Sequence, residues 1–263
     1  MANPAFSDSF IRDTYATGET TFTAQGAALK TLVLLVILAA SFCYTWVEAT
    51  EGYREAFMSA DAAGQYPTSI SIPPNVRGLA LVGGIGGLAV ALITIFKQRA
   101  APYTAPVYAG LEGLFLGAVS AGFEARYPGI VMQAMAGVIG TTGVMALLYS
   151  SGILKPTQGF VTGVVAATGG VCMLYFADIV MGFFGNRISV VHDSSWMGIG
   201  LQVAIVGIAA LNLILDFGTI TEAAENRAPK WFEWYAAFGV MLTIVWLYLE
   251  ILRLLAKLRG RDD

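Results

Sequence analysis

The hydrophobic positions of this chain fall into seven long segments, and shorter polar segments separate them. A hydrocarbon core about 30 Å thick requires roughly 20 apolar residues per helix, and each segment is about that long. Because unpaired backbone N–H and C=O groups cannot face lipid, each segment is predicted to form one helix rather than strands. The predicted spans cover about residues 29–47, 77–96, 104–123, 130–150, 160–183, 197–217 and 235–256.

The polar segments predict the domain organisation. Residues 1–27 are interpreted as a polar N-terminal tail, 28–258 as one seven-helix transmembrane domain, and 259–263 as a short charged C-terminal tail. The longest predicted loop, 48–76, is polar and acidic. The N-terminal tail lacks the short basic start of a signal peptide, so we expect the first span to remain in the mature protein.

The composition also indicates an integral membrane protein. Hydrophobic residues make up 56% of the chain and charged residues 13%, whereas a soluble domain carries about a quarter charged residues. The net charge of −3 and the lack of a basic patch argue against a nucleic-acid partner. Cys43 and Cys172 lie in apolar runs and are interpreted as buried small hydrophobic residues. Small residues recur at every fourth position, which predicts close helix packing in spans two to five, at Gly83 and Gly87, at Ala109, Gly113 and Gly117, at Ala136 and Gly140, and at Gly159 and Gly163.

The polar residues exclude several membrane functions. A retinal photoreceptor needs a lysine in mid-membrane, but every lysine lies at the end of a span. The single histidine, His192, lies in the loop between spans five and six, which argues against serine proteolysis and metal catalysis and suggests a solvated residue. Asp178 and Asp216 lie in adjacent spans, but the Gly-x-Gly-Asp context of intramembrane aspartyl proteases is absent. We therefore expect a protein that is not an enzyme and has no cofactor.

Acidic residues within the spans are the main functional candidates, because a carboxylate there costs about 2.5–3.5 kcal/mol on insertion scales. Glu112 lies nine residues inside span three, and Asp216 lies late in span six with Asn212 one turn earlier. The helical rise of about 1.5 Å per residue places Glu112 and Asp216 at similar depth. Two carboxylates at low dielectric predict a site that responds to protons or cations.

Span seven adds a polar face made of Thr243 and Glu250, which are seven residues apart. Thr243 is expected nearer to the depth of Asp216. Glu250 has a second interpretation, in which its carboxylate snorkels beside Arg253. The candidate cation pathway consists of the polar side chains of Glu112, Asn212, Asp216, Thr243 and Glu250.

The orientation in the membrane is nearly balanced. Seven cationic residues fall on the side of the N-terminus and eight on the other, so the positive-inside rule gives a tie. The loops alone favour a cytoplasmic N-terminus. An odd number of spans places the two termini on opposite sides.

Three segments of the chain resemble the Bax inhibitor-1, or transmembrane Bax inhibitor motif, proteins. The first is the Tyr-x-x-x-Glu-Gly-x-x-x-Gly pattern from Tyr108 to Gly117, the second is the aspartate that ends span six, and the third is the close of span seven from Thr243 to Leu255. The resemblance is strongest over spans two to seven. Short tails and the lack of a retention signal imply a bacterial-type member in the cell (inner) membrane.

The resemblance implies a bundle in which two three-helix layers surround a central seventh helix. It also implies a pH-sensitive Ca²⁺ leak, whose sensor is a pair of aspartates that share a proton. The first aspartate matches Asp216, whereas the second falls on Thr243, which is a departure from the family pattern. A shifted register places the second position on Glu250 instead. Asp216 and Glu112 are then the candidates for transient Ca²⁺ contacts.

The resemblance also implies two further features. Lys97 and Arg99 lie where the family carries cationic residues between helices two and three, so either one is a candidate for an ionic latch with Asp216. Some bacterial relatives act on membrane-anchored proteases. The alternative function is therefore a regulator that transports nothing, with a membrane-anchored protease as its partner.

Overall fold

The computed structural model describes residues 21–62 and 73–262, and the side chains of residues 21–54 and 73–261. Within these residues it confirms the predicted all-α membrane architecture, with seven helices long and apolar enough to cross a bilayer. These helices, numbered in chain order, are α1 Ala24–Ala62, α2 Pro74–Phe96, α3 Ala101–Arg126, α4 Ile130–Ser150, α5 Gln158–Phe183, α6 Trp196–Glu225 and α7 Phe232–Asp262.

The first helix is longer than its apolar segment. The sequence predicted a span ending near residue 47 and a loop from 48 to 76, but α1 continues as helix to Ala62. The prediction was wrong because it followed hydropathy, whereas residues 48–62 contain no proline and helix formers such as Glu and Ala continue the turns. Most of the predicted polar tail, residues 1–20, lies outside the described residues, as do the remainder of the loop at 63–72 and residue 263 of the C-terminal tail.

Short connections carry the chain between the other helices. A 3-10 turn, Gln98–Ala100, joins α2 to α3, and Gly129 adopts a positive φ of 82° between α3 and α4. A single helical turn, Ser189–His192, lies between α5 and α6. Pro74 opens α2, where its missing N–H needs no helical partner.

The described chain forms two compact units. The first contains the residues up to Pro128 together with Glu222–Met241, and the second contains Gly129–Thr221 together with the chain from Leu242 onward. The boundaries fall inside α6 and α7, so each of these helices contributes residues to both units. The arrangement of two layers around a central helix remains a prediction.

Close approach at glycines holds the first unit together. A Cβ atom at Gly83 of α2 would lie 2.5 Å from the Leu111 carbonyl oxygen of α3, and one at Gly117 of α3 would lie 2.6 Å from the Phe42 carbonyl oxygen of α1. No side chain fits in either position. The small-residue pattern therefore predicted the packing of spans two and three correctly.

The second unit packs differently. A Cβ atom at Gly140, Gly159 or Gly163 would meet no atom of the described chain within 4 Å. These glycines are not helix-packing positions within the described residues, which corrects the prediction for spans four and five. Instead, Pro156 packs against α6 at Gly218, where a Cβ atom would approach it to 2.7 Å.

The two cysteines also differ from expectation. Both Cys43 and Cys172 are exposed on the surface of the helices rather than buried. An apolar run predicts burial only in a soluble protein, whereas in a membrane helix the apolar face also includes the positions that face lipid. The sequence interpretation applied the rule for soluble cores.

Candidate functional site

Asp216 and Thr243 lie together in the second unit. The Thr243 hydroxyl donates a hydrogen bond to the Asp216 carboxyl group, which joins α6 to α7. The other carboxyl oxygen, Oδ2, is inaccessible to solvent and has no hydrogen-bond partner among the described residues. The structure thus places Thr243 beside Asp216. The register of span seven against the family pattern remains a prediction.

Asn212, one turn before Asp216, has other partners. Its amide nitrogen donates to the Thr168 hydroxyl of α5 at 2.8 Å and to the Ile208 carbonyl oxygen at 2.9 Å. The bond to Thr168 joins α6 to α5 one turn before Asp216. Asn212 therefore positions the helix that carries Asp216.

Glu250 is surrounded by donors. Its side chain is almost completely buried, and Oε2 accepts from the Tyr175 hydroxyl at 2.8 Å and from Gln202 Nε2 at 2.5 Å. The other oxygen, Oε1, accepts from Trp246 Nε1 at 3.1 Å and from Arg253 at 3.2 Å. The ion pair with Arg253 is present, as one interpretation expected, but the carboxylate is a buried junction of α5, α6 and α7.

Glu112 belongs to the first unit and has sparser surroundings. It is 9% exposed, and the Tyr108 hydroxyl, one turn earlier on α3, donates a hydrogen bond to it. A Cβ atom at Gly87 of α2 would lie 3.0 Å from Glu112 Oε2. The bare backbone of Gly87 therefore gives the carboxylate its space between α2 and α3.

The two candidate latch residues lie in the connection between α2 and α3. Lys97 is the C-terminal cap of α2, and Arg99 lies in the 3-10 turn that follows. Both side chains are exposed. The latch with Asp216 remains a prediction.

His192 is not simply a solvated residue. Its Nε2 lies 2.7 Å from Asp178 Oδ2, and Asp178 Oδ1 accepts from the Ile188 backbone N–H at 3.0 Å. Asp178 thereby fastens the loop between α5 and α6 to the end of α5. A cavity of about 340 Å³ opens next to this contact, lined by Asp178, Ile179, Gly182, Phe183 and Arg187.

The sequence interpretation missed Glu233, whose side chain is fully buried in the first turn of α7. It forms ion pairs with Lys30 and with Lys230, the latter at 2.7 Å. The signal was available, since an acidic residue in the first turn of a helix is a favourable arrangement. It was overlooked because it precedes the predicted start of span seven at residue 235.

The described residues contain no cluster of three or more His, Cys, Asp or Glu side chains that could hold a metal ion. Asp216 of the second unit and Glu112 of the first each accept a hydrogen bond from one hydroxyl group. The transient Ca²⁺ contacts expected of Asp216 and Glu112 remain a prediction.

Comparison with known protein families finds a match. The model of a family described as Bax inhibitor 1 like matches residues 3–260, which is nearly the whole chain. No curated protein matches the chain, and no solved structure does.

Proposed function

The chain belongs to the Bax inhibitor 1 like family, and from this premise we propose that it is a passive, pH-modulated leak for Ca²⁺ or another cation. The cation is the transported substrate and not a resident cofactor. The proposal assigns no catalytic chemistry to the protein. Its proton-responsive element is the pair of Asp216 and Thr243.

The Oδ2 atom of Asp216, which has no hydrogen-bond partner among the described residues, carries this proposal. Buried polar atoms in native proteins almost always have a hydrogen-bond partner, and an exception calls for a proton, a water molecule or an ion. Asp216 is also a carboxylate within a membrane-spanning helix, where acidic residues commonly mark ion or proton pathways. A free carboxylate oxygen at this position is a suitable transient ligand for a hard cation such as Ca²⁺.

Protonation gives a direct means of control. The charged carboxylate attracts a cation, and a proton bound to Oδ2 removes that charge. Thr243 itself does not gain or lose charge, because a hydroxyl group stays neutral throughout the physiological pH range. A single carboxylate therefore replaces the two aspartates that the family resemblance implies.

Proteoliposomes loaded with a Ca²⁺-sensitive dye test the proposal between about pH 6 and pH 8, where folded proteins are generally most stable. The wild type is compared with Asp216→Asn, which keeps the side-chain shape and removes the titrating group. We expect the wild-type influx to depend on pH and that of the variant to lose this dependence. The matched control is Glu225→Gln, at an exposed acid near the end of α6, which should behave like the wild type.

Equal influx in the wild type and in Asp216→Asn at every pH would refute the proposal. Glu112→Gln in the same assay asks separately whether the carboxylate of the first unit contributes. If Asp216→Asn retains the pH response and Glu112→Gln loses it, the sensor is Glu112 and our assignment of Asp216 is wrong.

The alternative function is a regulator that binds a membrane-anchored protease without transporting ions. The polar N-terminal segment supports this alternative, and the structure shows where to cut it. Thr21, Phe22 and Thr23 bond to the α6–α7 connection and to α7, so a deletion should stop at residue 20. A regulator lacking residues 2–20 should lose its partner in pull-down experiments, whereas a channel should keep its ion flux.

A further inference from the structure

The start of α1 resembles half of a capping box. Thr23 precedes the first helical residue, and its hydroxyl oxygen accepts a hydrogen bond from the Gly26 backbone N–H at 3.0 Å. In a complete capping box a Glu or Gln at the position of Gly26 reaches back to the backbone N–H of the capping residue. Glycine cannot do so, which would leave the Thr23 N–H without its usual acceptor.

Glu233 of α7 supplies the missing carboxylate. Its Oε1 accepts from the Thr23 backbone N–H at 2.9 Å and from the Thr23 hydroxyl at 2.9 Å. A Cβ atom at Gly26 would overlap the Glu233 carboxyl group. The glycine therefore provides the space that the carboxylate from the other helix occupies.

Charge reinforces this arrangement. Glu233 lies in the first turn of its own helix and also at the first turn of α1, and a negative charge is favourable at a helix N-terminus. Lys30 and Lys230 both form ion pairs with it. The Lys30 ammonium group also lies 5.5 Å from the centroid of the Trp234 ring, within cation–π range.

Backbone contacts extend the same connection. The Phe22 N–H donates to the Ala228 carbonyl oxygen at 2.7 Å, and Thr21 forms an antiparallel bridge with Pro229. The rings of Phe22 and Phe232 pack with their centroids 6.0 Å apart. The residues before α1 thus run along the α6–α7 connection.

We propose that Glu233 is a shared N-terminal cap, which completes the capping box of α1 from α7 and tethers the residues before α1 to the α6–α7 connection. Loss of its charge or of its acceptor oxygens releases the tether. A partner that binds residues 21–30 would then act directly on the first turn of α7. The shared cap does not require ion transport, so a failure of the proposed function would not refute it.

Hydrogen exchange at single-amide resolution tests the tether in the purified full-length protein. The Phe22 amide reports the tether, since its acceptor is on the α6–α7 connection, and the Thr23 amide reports the cap. Local opening sets the exchange rate, so Glu233→Gln should speed exchange of both amides by about tenfold or more, as expected for lost charge-assisted hydrogen bonds. Glu225→Gln, at an exposed acid, should leave both rates unchanged.

A double variant separates capping from tethering. Gly26→Glu combined with Glu233→Ala rebuilds an ordinary capping box within α1 and removes the carboxylate of α7. The Thr23 amide should regain protection, while the Phe22 amide should continue to exchange rapidly. If the double variant restores the Phe22 amide, Glu233 acts only as a cap and the tether is refuted.

Unchanged exchange at both amides in Glu233→Gln would refute the shared cap itself. Should that variant fail to fold, Lys230→Gln provides a milder change at the half-exposed edge of the cluster. It removes one ion pair and keeps the Thr23 bonds, so exchange of the Phe22 and Thr23 amides should rise only a few-fold. A rate equal to that of the wild type would show that the ion pair with Lys230 does not reinforce the cap, contrary to the proposal.

Discussion

Replacing Glu250 should reveal whether this residue stabilises the protein or lies in the ion pathway. In Glu250→Ala, the Tyr175 hydroxyl and Trp246 Nε1 lose their acceptor, whereas Gln202 Nε2 keeps its bond to the backbone carbonyl oxygen of residue 250. Each buried donor left unpaired costs about 1–3 kcal/mol. Arg253 adds little, because its side chain is 44% exposed and solvent screens its charge. Because both of these bonds are only partly buried and the helices can relax, we expect a loss of about 2–4 kcal/mol in the free energy of unfolding.

Thermal unfolding in detergent measures this effect. For chains of this size about 1 kcal/mol changes the midpoint by roughly 2–4 °C, so Glu250→Ala should lower it by at least about 4 °C. Glu250→Gln keeps one acceptor oxygen and should fall between Glu250→Ala and the wild type. Glu225→Ala, which removes an exposed carboxylate, should change the midpoint by about 1–2 °C at most.

A stabilising role also predicts that Glu250→Gln has normal ion flux per folded molecule. An unfolding midpoint for Glu250→Ala within 2 °C of the wild type, a threshold set by roughly 1 kcal/mol, would refute the proposed junction. Loss of flux in a Glu250→Gln variant of normal stability would instead place Glu250 in the ion pathway.

Three further predictions follow from the packing and from the polar contacts. Gly117→Val should lower the unfolding midpoint strongly, because its Cβ atom would lie 2.6 Å from a carbonyl oxygen of α1. Gly140→Ala should leave the midpoint unchanged, because its Cβ atom meets no atom of the described chain within 4 Å. Thr243→Asp is measured in the dye-loaded liposomes. It should shift the curve of flux against pH towards neutral, because two carboxyl groups would then share one proton. An unchanged curve would mean that residue 243 does not act on the sensor. His192→Ala should increase limited proteolysis in the loop between α5 and α6 by removing the contact with Asp178, and equal cleavage rates would show that this contact does not hold the loop.

The number and type of the helices could be predicted because lipid allows few alternatives. A long apolar segment without unpaired backbone groups must be helical, so hydropathy alone located all seven spans. The end of α1 could not be located in this way, since α1 continues to Ala62 beyond its apolar segment. Hydropathy indicates which residues can lie in lipid, whereas backbone propensity determines how far a helix continues beyond them.

Small residues were only partly informative, for a related reason. Gly83 and Gly117 have no room for a side chain, while Gly140 and Gly163 lie in open space within the described chain. The spacing of four residues is the same in both groups. The spacing shows that small residues share one face of a helix. Whether another helix packs against that face depends on the residues of the neighbouring helix, which the spacing does not show.

The acidic residues show what the sequence alone cannot decide. Glu250 and Asp216 are both carboxylates within spans, and both were candidates for the same pathway. The structure surrounds Glu250 with four donors but leaves one oxygen of Asp216 without a partner among the described residues. A fully bonded carboxylate must break hydrogen bonds before it can bind a cation, whereas an oxygen without a partner can bind one at no such cost. The number of donors around each carboxylate depends on contacts between helices and cannot be read from the sequence. It favours Asp216 over Glu250 as the cation ligand of the proposed leak, and it favours Glu250 as a buried junction of α5, α6 and α7.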